Sequence, residues 1–264
     1  MLKLTNIKKT FNEGTINEKK ALLGIDLHLK EGDFVTVIGG NGAGKSTLLN
    51  LIAGVFECDC GKIEIGGVDV TELPEHKRAK FLGRVFQDPM MGTAAGMGIE
   101  ENLAMAYRRG KKRTLKWGIT AEEREFYKEK LQILDLGLEN RLSSKVGLLS
   151  GGQRQALTLL MSTLQKPKLL LLDEHTAALD PKTAAKVLTI TENIIKKDNL
   201  TTLMITHNMK DAIRLGNRLI MMYDGRIIYD VEGEEKKKLQ VSDLLEKFDQ
   251  ASGGSFANDR MMLS

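Results

Sequence analysis

Gly39-Gly40-Asn41-Gly42-Ala43-Gly44-Lys45-Ser46-Thr47 is the stretch that decides the fold. It fits G-x-x-x-x-G-K-[ST], with Gly39, Gly44, Lys45 and Ser46 at the fixed places. Phe34-Val35-Thr36-Val37-Ile38 before it reads as a buried strand. Leu48-Leu49-Asn50-Leu51-Ile52-Ala53 after it reads as a helix that stops at Gly54. A glycine-rich loop between strand and helix can turn its backbone N–H groups inward around phosphate oxygens. The helix start adds partial positive charge. Lys45 is then placed for the β- and γ-phosphates and the Ser46 hydroxyl for Mg²⁺. The loop implies a nucleoside triphosphate, and leaves open what its energy is used for.

Other candidates stand at strand ends. Leu169-Leu170-Leu171-Leu172-Asp173-Glu174 is an apolar strand ending in two acids. Asp173 can hold Mg²⁺, and Glu174 can polarise a water for attack on the γ-phosphate. Leu203-Met204-Ile205-Thr206 is a strand with His207 after it, and Gly83-Arg84-Val85-Phe86 is one with Gln87 after it. Ligands of open α/β sheets bind outside the carboxyl ends of strands, where both side chains stand. Alone, either is equally a structural residue. Phe11, after the first strand begun by Leu2, Leu4 and Ile7, can stack on a base or simply pack beside a turn. Leu149-Ser150-Gly151-Gly152-Gln153 precedes an apolar helix from Ala156 to about Leu164, and offers either an anion site or a plain helix cap. Asp180-Pro181 is a cap followed by proline at a helix start.

Taken together, these residues resemble the nucleotide-binding subunit of ABC transporters, over about residues 1 to 240. The resemblance implies an α/β fold: a P-loop NTPase core with an antiparallel β subdomain and an inserted helical subdomain at about 88–161. Residues 241–264 form a short helix and tail. It makes Gly39–Thr47 the Walker A loop, with Asn41, Gly42, Ala43 and Thr47 lining ATP, and Leu169–Asp173 the Walker B strand. Glu174 becomes the catalytic base, and Gln87 the Q-loop residue that touches metal and water. His207 becomes the switch histidine, Phe11 the adenine-stacking aromatic and Asp180 part of the D-loop. Ser46, Gln87 and Asp173 would hold Mg²⁺. Ser150, Gly151, Gly152 and Gln153 belong to the signature, which in this family meets the γ-phosphate of a second copy. A homodimer, integral-membrane permease subunits and a substrate-binding protein follow as implied partners, with the chain at the cytoplasmic face of the membrane. The segment after Gln87 and D-E-H-T-A-A-L-D-P look like bacterial importers, some linked to amino acids, including aromatic ones. Glu174-His175-Thr176 departs from the usual Glu-Pro-Thr or Glu-Ala-Thr, and adds a titratable group beside the acid.

The remaining sequence sets limits. The 264 residues carry 39 basic and 35 acidic side chains, a balance that gives no reason to expect nucleic acid. No apolar run approaches the ~20 residues that span a bilayer, and the amino terminus reads as strand, not signal peptide. Cys58 and Cys60 lack the companions of a metal site. Ribosome- or DNA-directed ABC ATPases usually carry two cassettes or a long coiled coil, and this chain has one phosphate loop and no sustained heptads. An exporter remains an alternative to import. Glu31-Gly32 reads as a hairpin turn, Lys62–Val70 as a second hairpin, Pro74 to Leu82 as a short helix, and Ile99 to Tyr107 as another. Thr120 with Glu123 reads as a capping box opening a helix to about Leu136. The basic run at 108–117 reads as a solvated loop, with anionic lipid contact the alternative. Glu232 to Lys238 reads as a solvated charge run.

Overall fold

In the computed structural model, which describes residues 1–111 and 118–252, the chain forms two sheets. It runs through β1 (Leu2–Phe11), β2 (Lys19–Leu29), β3 (Phe34–Gly39), α1 (Lys45–Ala53), β4 (Cys60–Ile65), β5 (Val68–Asp69), α2 (Glu75–Arg78) and β6 (Leu82–Val85). Three helices follow, α3 (Ile99–Tyr107), α4 (Ala121–Gln132) and α5 (Gly151–Thr163). Then come β7 (Leu169–Asp173), α6 (Pro181–Asp198), β8 (Thr201–Ile205), α7 (Met209–Arg214), β9 (Arg218–Tyr223), β10 (Arg226–Glu232), α8 (Gly233–Lys238) and α9 (Val241–Ser252).

The antiparallel sheet has the order β2-β1-β4-β5, and the second sheet β10-β9-β3-β8-β7-β6. In the second, β9 to β6 run parallel and β10 pairs antiparallel at one edge. The parallel strands are buried almost throughout because both faces are covered. Val35, Val37, Leu169, Leu171, Leu203 and Ile205 face α1 and the antiparallel sheet. Leu170, Leu172 and Met204 face α5 and α6, and Ile38, Leu219 and Met221 face α7 and α9.

Several expectations hold. α3 spans Ile99–Tyr107, and Thr120 caps α4 reciprocally with Glu123, Thr120 Oγ1 accepting from Glu123 N at 3.1 Å, although α4 ends at Gln132, short of Leu136, where the chain turns left-handed at Asp135 (φ +51°). β4 and β5 form the expected hairpin, with Ile65 opposite Val68.

Four expectations need correction. Glu31-Gly32 joins no hairpin, because β2 and β3 lie in different sheets. Asp33 accepts from Lys30 N at 2.7 Å, and Asn217 takes Phe34 N at 2.7 Å, so the chain is handed to the buried sheet beside β9. α2 stops at Arg78 well short of Leu82, because Leu82 pairs with Leu169 of β7. Arg78 is buried and pins this corner, donating to the carbonyls of Leu51, Ile52, Thr71 and Leu73. α5 starts at Gly151, five residues before Ala156, because Ser150 caps it. The charge run is not wholly solvated: Lys236 is buried and donates to the carbonyls of Leu215 and Gly216, at the end of α7. Of the basic run, Arg109 folds back onto the Ser162 carbonyl (3.1 Å), while 112–117 lie outside the described residues, as do 253–264 of the tail.

Candidate functional site

Gly39, Asp173 and Glu174, His207, and Gln87 stand at the carboxyl ends of β3, β7, β8 and β6, which are neighbours in the sheet. Glu174, His207 and Gln87 border a cavity of about 480 Å³ whose other lining residues are Phe11, Lys19, Ala21, Asn41, Gly42, Ala43, Gly44, Lys45, Ser46 and Thr47. Eleven of these thirteen residues are those expected at the site from the sequence and three strands supply the facing groups, so the cavity is the triphosphate candidate.

Its floor is the loop before α1. Gly42 and Gly44 have φ of +81° and +98°. A Cβ on Gly44 would stand 2.6 Å from the Ala21 carbonyl oxygen, and one on Gly39 2.4 Å from that of Met222. Only glycine lets the loop lie this close to β2 and β9. No side chain caps α1 and its first turn holds no acid, so its positive end is left to an anion. Lys45 is buried along the loop, with Nζ donating to the carbonyls of Gly39 (2.7 Å) and Gly40 (3.1 Å).

Facing the loop are the acids. Glu174 has a left-handed backbone, φ +46°, a state costing a residue with a Cβ about 1–2 kcal/mol. Its N–H donates to the Ile205 carbonyl at 3.1 Å, and its Oε1 lies 2.6 Å from His207 Nε2. Asp173 does not line the cavity. Burial pushes its carboxyl pKa up, and the Arg84 guanidinium, 3.9 Å away, opposes that shift. Arg84 is itself held by Asn50 Oδ1 at 2.7 Å and by the Phe86 ring, 4.5 Å from its centre. Phe11 stands edge-on to Phe56, with ring centres 5.3 Å apart.

The signature residues lie elsewhere. Ser150, Gly151, Gly152, Gln153 and Asp180 are absent from the cavity wall. Ser150 Oγ accepts from Gln153 N at 3.3 Å, and Ser150 N donates to Gln153 Oε1 at 3.2 Å. A Cβ on Gly152 would come within 2.1 Å of Thr183 Cγ2, so glycine lets α5 seat against α6. Asp180 caps α6, and hydrogen bonds from Thr183 hold its carboxyl below the usual value. Gln155 Nε2 donates to the Phe86 carbonyl at 2.9 Å, which links the signature helix to the residue before Gln87.

Residues 22–177 match the sequence profile of the ABC transporter family. The chain belongs to that family. It is 43% identical over 251 residues to the tyrosine transport ATP-binding protein of Clostridioides difficile (strain R20291), covering 95% of this chain and 100% of that one. It is 33% identical over 221 residues to the energy-coupling factor transporter ATP-binding protein EcfA1 of Streptococcus pyogenes serotype M1, covering 83% and 75% of the two chains. The fold is similar to the ATP-binding cassette MJ0796 in a dimeric post-hydrolysis state bound to ADP and Pi. The TM-score is 0.75 at 30% identity, over 88% of this chain and 98% of that one. The protein is thus the ATP-binding, ATP-hydrolysing subunit of an ABC transporter.

Seen as an ABC ATPase, the site contains residues that sequence reasoning missed. Lys19 and Ala21 reach the cavity from the start of β2, for which no local pattern exists. Arg84 was visible only as part of a short strand, although its charge two residues from the strand's end was a usable signal. His175 does not stand beside the acid. It is 1% exposed, turned into the core, and burial pushes its pKa down to about 4, so it is neutral at physiological pH.

Proposed function

We propose that this ATPase energises the import of a small solute, with amino acids, aromatic ones included, as the leading class. The end-to-end likeness to a tyrosine transport ATP-binding protein carries this reading. Among the described residues no helix is long and apolar enough to cross a membrane. In this reading integral-membrane permease subunits hold the chain at the cytoplasmic face, and a substrate-binding protein serves the same system.

The loop N–H groups and Lys45 bind the β- and γ-phosphates, and Phe11 stacks on adenine. Ser46, Asp173 and Gln87 are the residues that would hold Mg²⁺; all offer oxygens, which suits a hard cation, and the ion would neutralise phosphate charge. Glu174 takes a proton from the attacking water as its oxygen bonds to the γ-phosphorus and the bond to the ADP oxygen breaks. His207 fixes the Glu174 carboxylate and can donate to the γ-phosphate. On the opposite side of that phosphate, Ser150, Gly151 and Gly152 of a second copy complete the site. Two ATP molecules thereby join a head-to-tail homodimer. Hydrolysis releases it, and the helical segment at about 88–161 passes the motion to the permease.

A tagged Glu174→Gln chain, trapped with ATP and recovered from detergent-solubilised membranes, tests the assignment. It should bring down a multi-spanning permease and a binding protein, identified by mass spectrometry. Recovery of ribosomal or DNA-repair proteins with no membrane protein would end the transport reading.

A further inference from the structure

Two consecutive residues point opposite ways after β7. Glu174 faces the cavity, while the next ring, that of His175, enters the core beside α6. His175 Nε2 lies 3.1 Å from Thr191 Oγ1, and Thr191 is also 1% exposed. Thr191 Oγ1 donates its one proton to the Val187 carbonyl at 2.8 Å. The hydroxyl oxygen therefore accepts from His175, which fixes the ring proton on Nε2. Nδ1 is then a bare acceptor, and it is buried without a partner among the described residues. An unpaired buried nitrogen lowers stability, so the ring is a poor choice for packing alone. What it does provide is a directional tie between the Glu174 turn and a rigid helix.

We propose that His175 is a positioning residue for the catalytic glutamate, fixing the left-handed turn at Glu174 to α6 through Thr191. A non-glycine residue stays left-handed only where its surroundings over-determine it. From outside, Glu174 is held by His207 at 2.6 Å and by the Ile205 carbonyl at 3.1 Å. From the core side, the next residue is tethered to α6. The same helix is capped by Asp180, which accepts from Thr183 N at 3.1 Å. The segment from Glu174 to Asp180 is thus fastened to α6 near both ends. Loss of the inner tether lets the turn relax towards ordinary backbone angles and moves the Glu174 carboxylate relative to the phosphate loop, leaving the loop itself intact.

This inference rests on the reading of Glu174 as the base, and the test separates the two. In purified full-length chain, Thr191→Val removes the hydroxyl at nearly constant volume. Its kcat for Mg-ATP should fall about tenfold, as expected for a misplaced reacting group, with KM and ATP affinity within about twofold of wild type. Thr191→Ser, which keeps the oxygen, should recover most of the loss. In a His175→Leu background, Thr191→Val should cause no further fall. Wild-type kcat in Thr191→Val, an equal loss in Thr191→Ser, or a loss tracking ATP affinity each overturns the tether. Glu174→Gln is measured alongside. An inactive Glu174→Gln beside a fully active Thr191→Val removes the tether alone, whereas an active Glu174→Gln removes the base and the tether together.

Discussion

The starts of α1 and α5 are both glycine-rich helix N-termini, and they are finished in opposite ways. At α1 no side chain satisfies the first turn, and the loop folds back on the strands through Gly39 and Gly44. At α5, Ser150 and Gln153 satisfy each other's N–H groups. A cap of this kind is worth about 1 kcal/mol, less than a charge-assisted hydrogen bond to phosphate. The α5 start is therefore stable as it stands, and under the function proposed above it exchanges this cap for a γ-phosphate. The α1 start has no such substitute and gains more from the ligand. Nucleotide should accordingly be captured by the phosphate loop first, and the signature should engage second, on another copy.

The sharpest way to break this comparison is to remove Lys45. Lys45→Ala should lower ATP affinity by at least about 100-fold, since a buried charged donor to phosphate is lost, measured by equilibrium binding. Ser150→Arg acts on the other region. It should leave ATP binding to the single chain within about twofold, and remove both ATP-dependent dimerisation and most turnover, read by light scattering and phosphate release. If Ser150→Arg weakened binding as much as Lys45→Ala, the two helix starts would belong to one intramolecular site. Phe11→Ala should raise the KM for ATP by about five- to tenfold, the low end of an aromatic stack, because the ring stands at the cavity edge. GTP and ATP should converge in affinity in that variant if the ring reads the base.

The cavity was legible because its chemistry is local. Lys45 and Ser46 follow glycines at a fixed spacing, and Glu174, His207 and Gln87 each follow an apolar strand. Neighbouring strand ends then bring them together without further information. Residues whose role depends on distant partners were not legible. Glu31-Gly32 has turn chemistry, but turn chemistry does not say that β3 inserts between β8 and β9 of another sheet. Arg84 meets Asp173 only because β6 and β7 pair. His175 follows Glu174 in the chain, yet the left-handed turn at Glu174 sends it to Thr191, sixteen residues on.

Lys236 shows the same limit and gives the smallest predicted effect. Seven residues from Glu232 to Lys238 include three acids and three lysines, which reads as solvated surface. The helix placement instead directs Lys236 to the carbonyls that end α7, where an ammonium complements the helix dipole. Burial pushes its pKa down from 10.5 to about 8. Below pH 8 both folded and unfolded chains hold the proton, and the folded state carries the full burial cost. Between pH 8 and 10.5 the unfolded chain binds more protons than the folded one, so this group's contribution to stability rises with pH. Wild type should therefore gain on Lys236→Met as pH goes from 7.5 to 10, by roughly 2–4 °C in Tm for each kcal/mol recovered. Paired thermal scans at the two pH values cancel the other titrating groups. A Tm difference that stays constant would mean that the carbonyls of Leu215 and Gly216 compensate the buried charge, and that the end of α7 holds Lys236 as firmly as the loop holds Lys45.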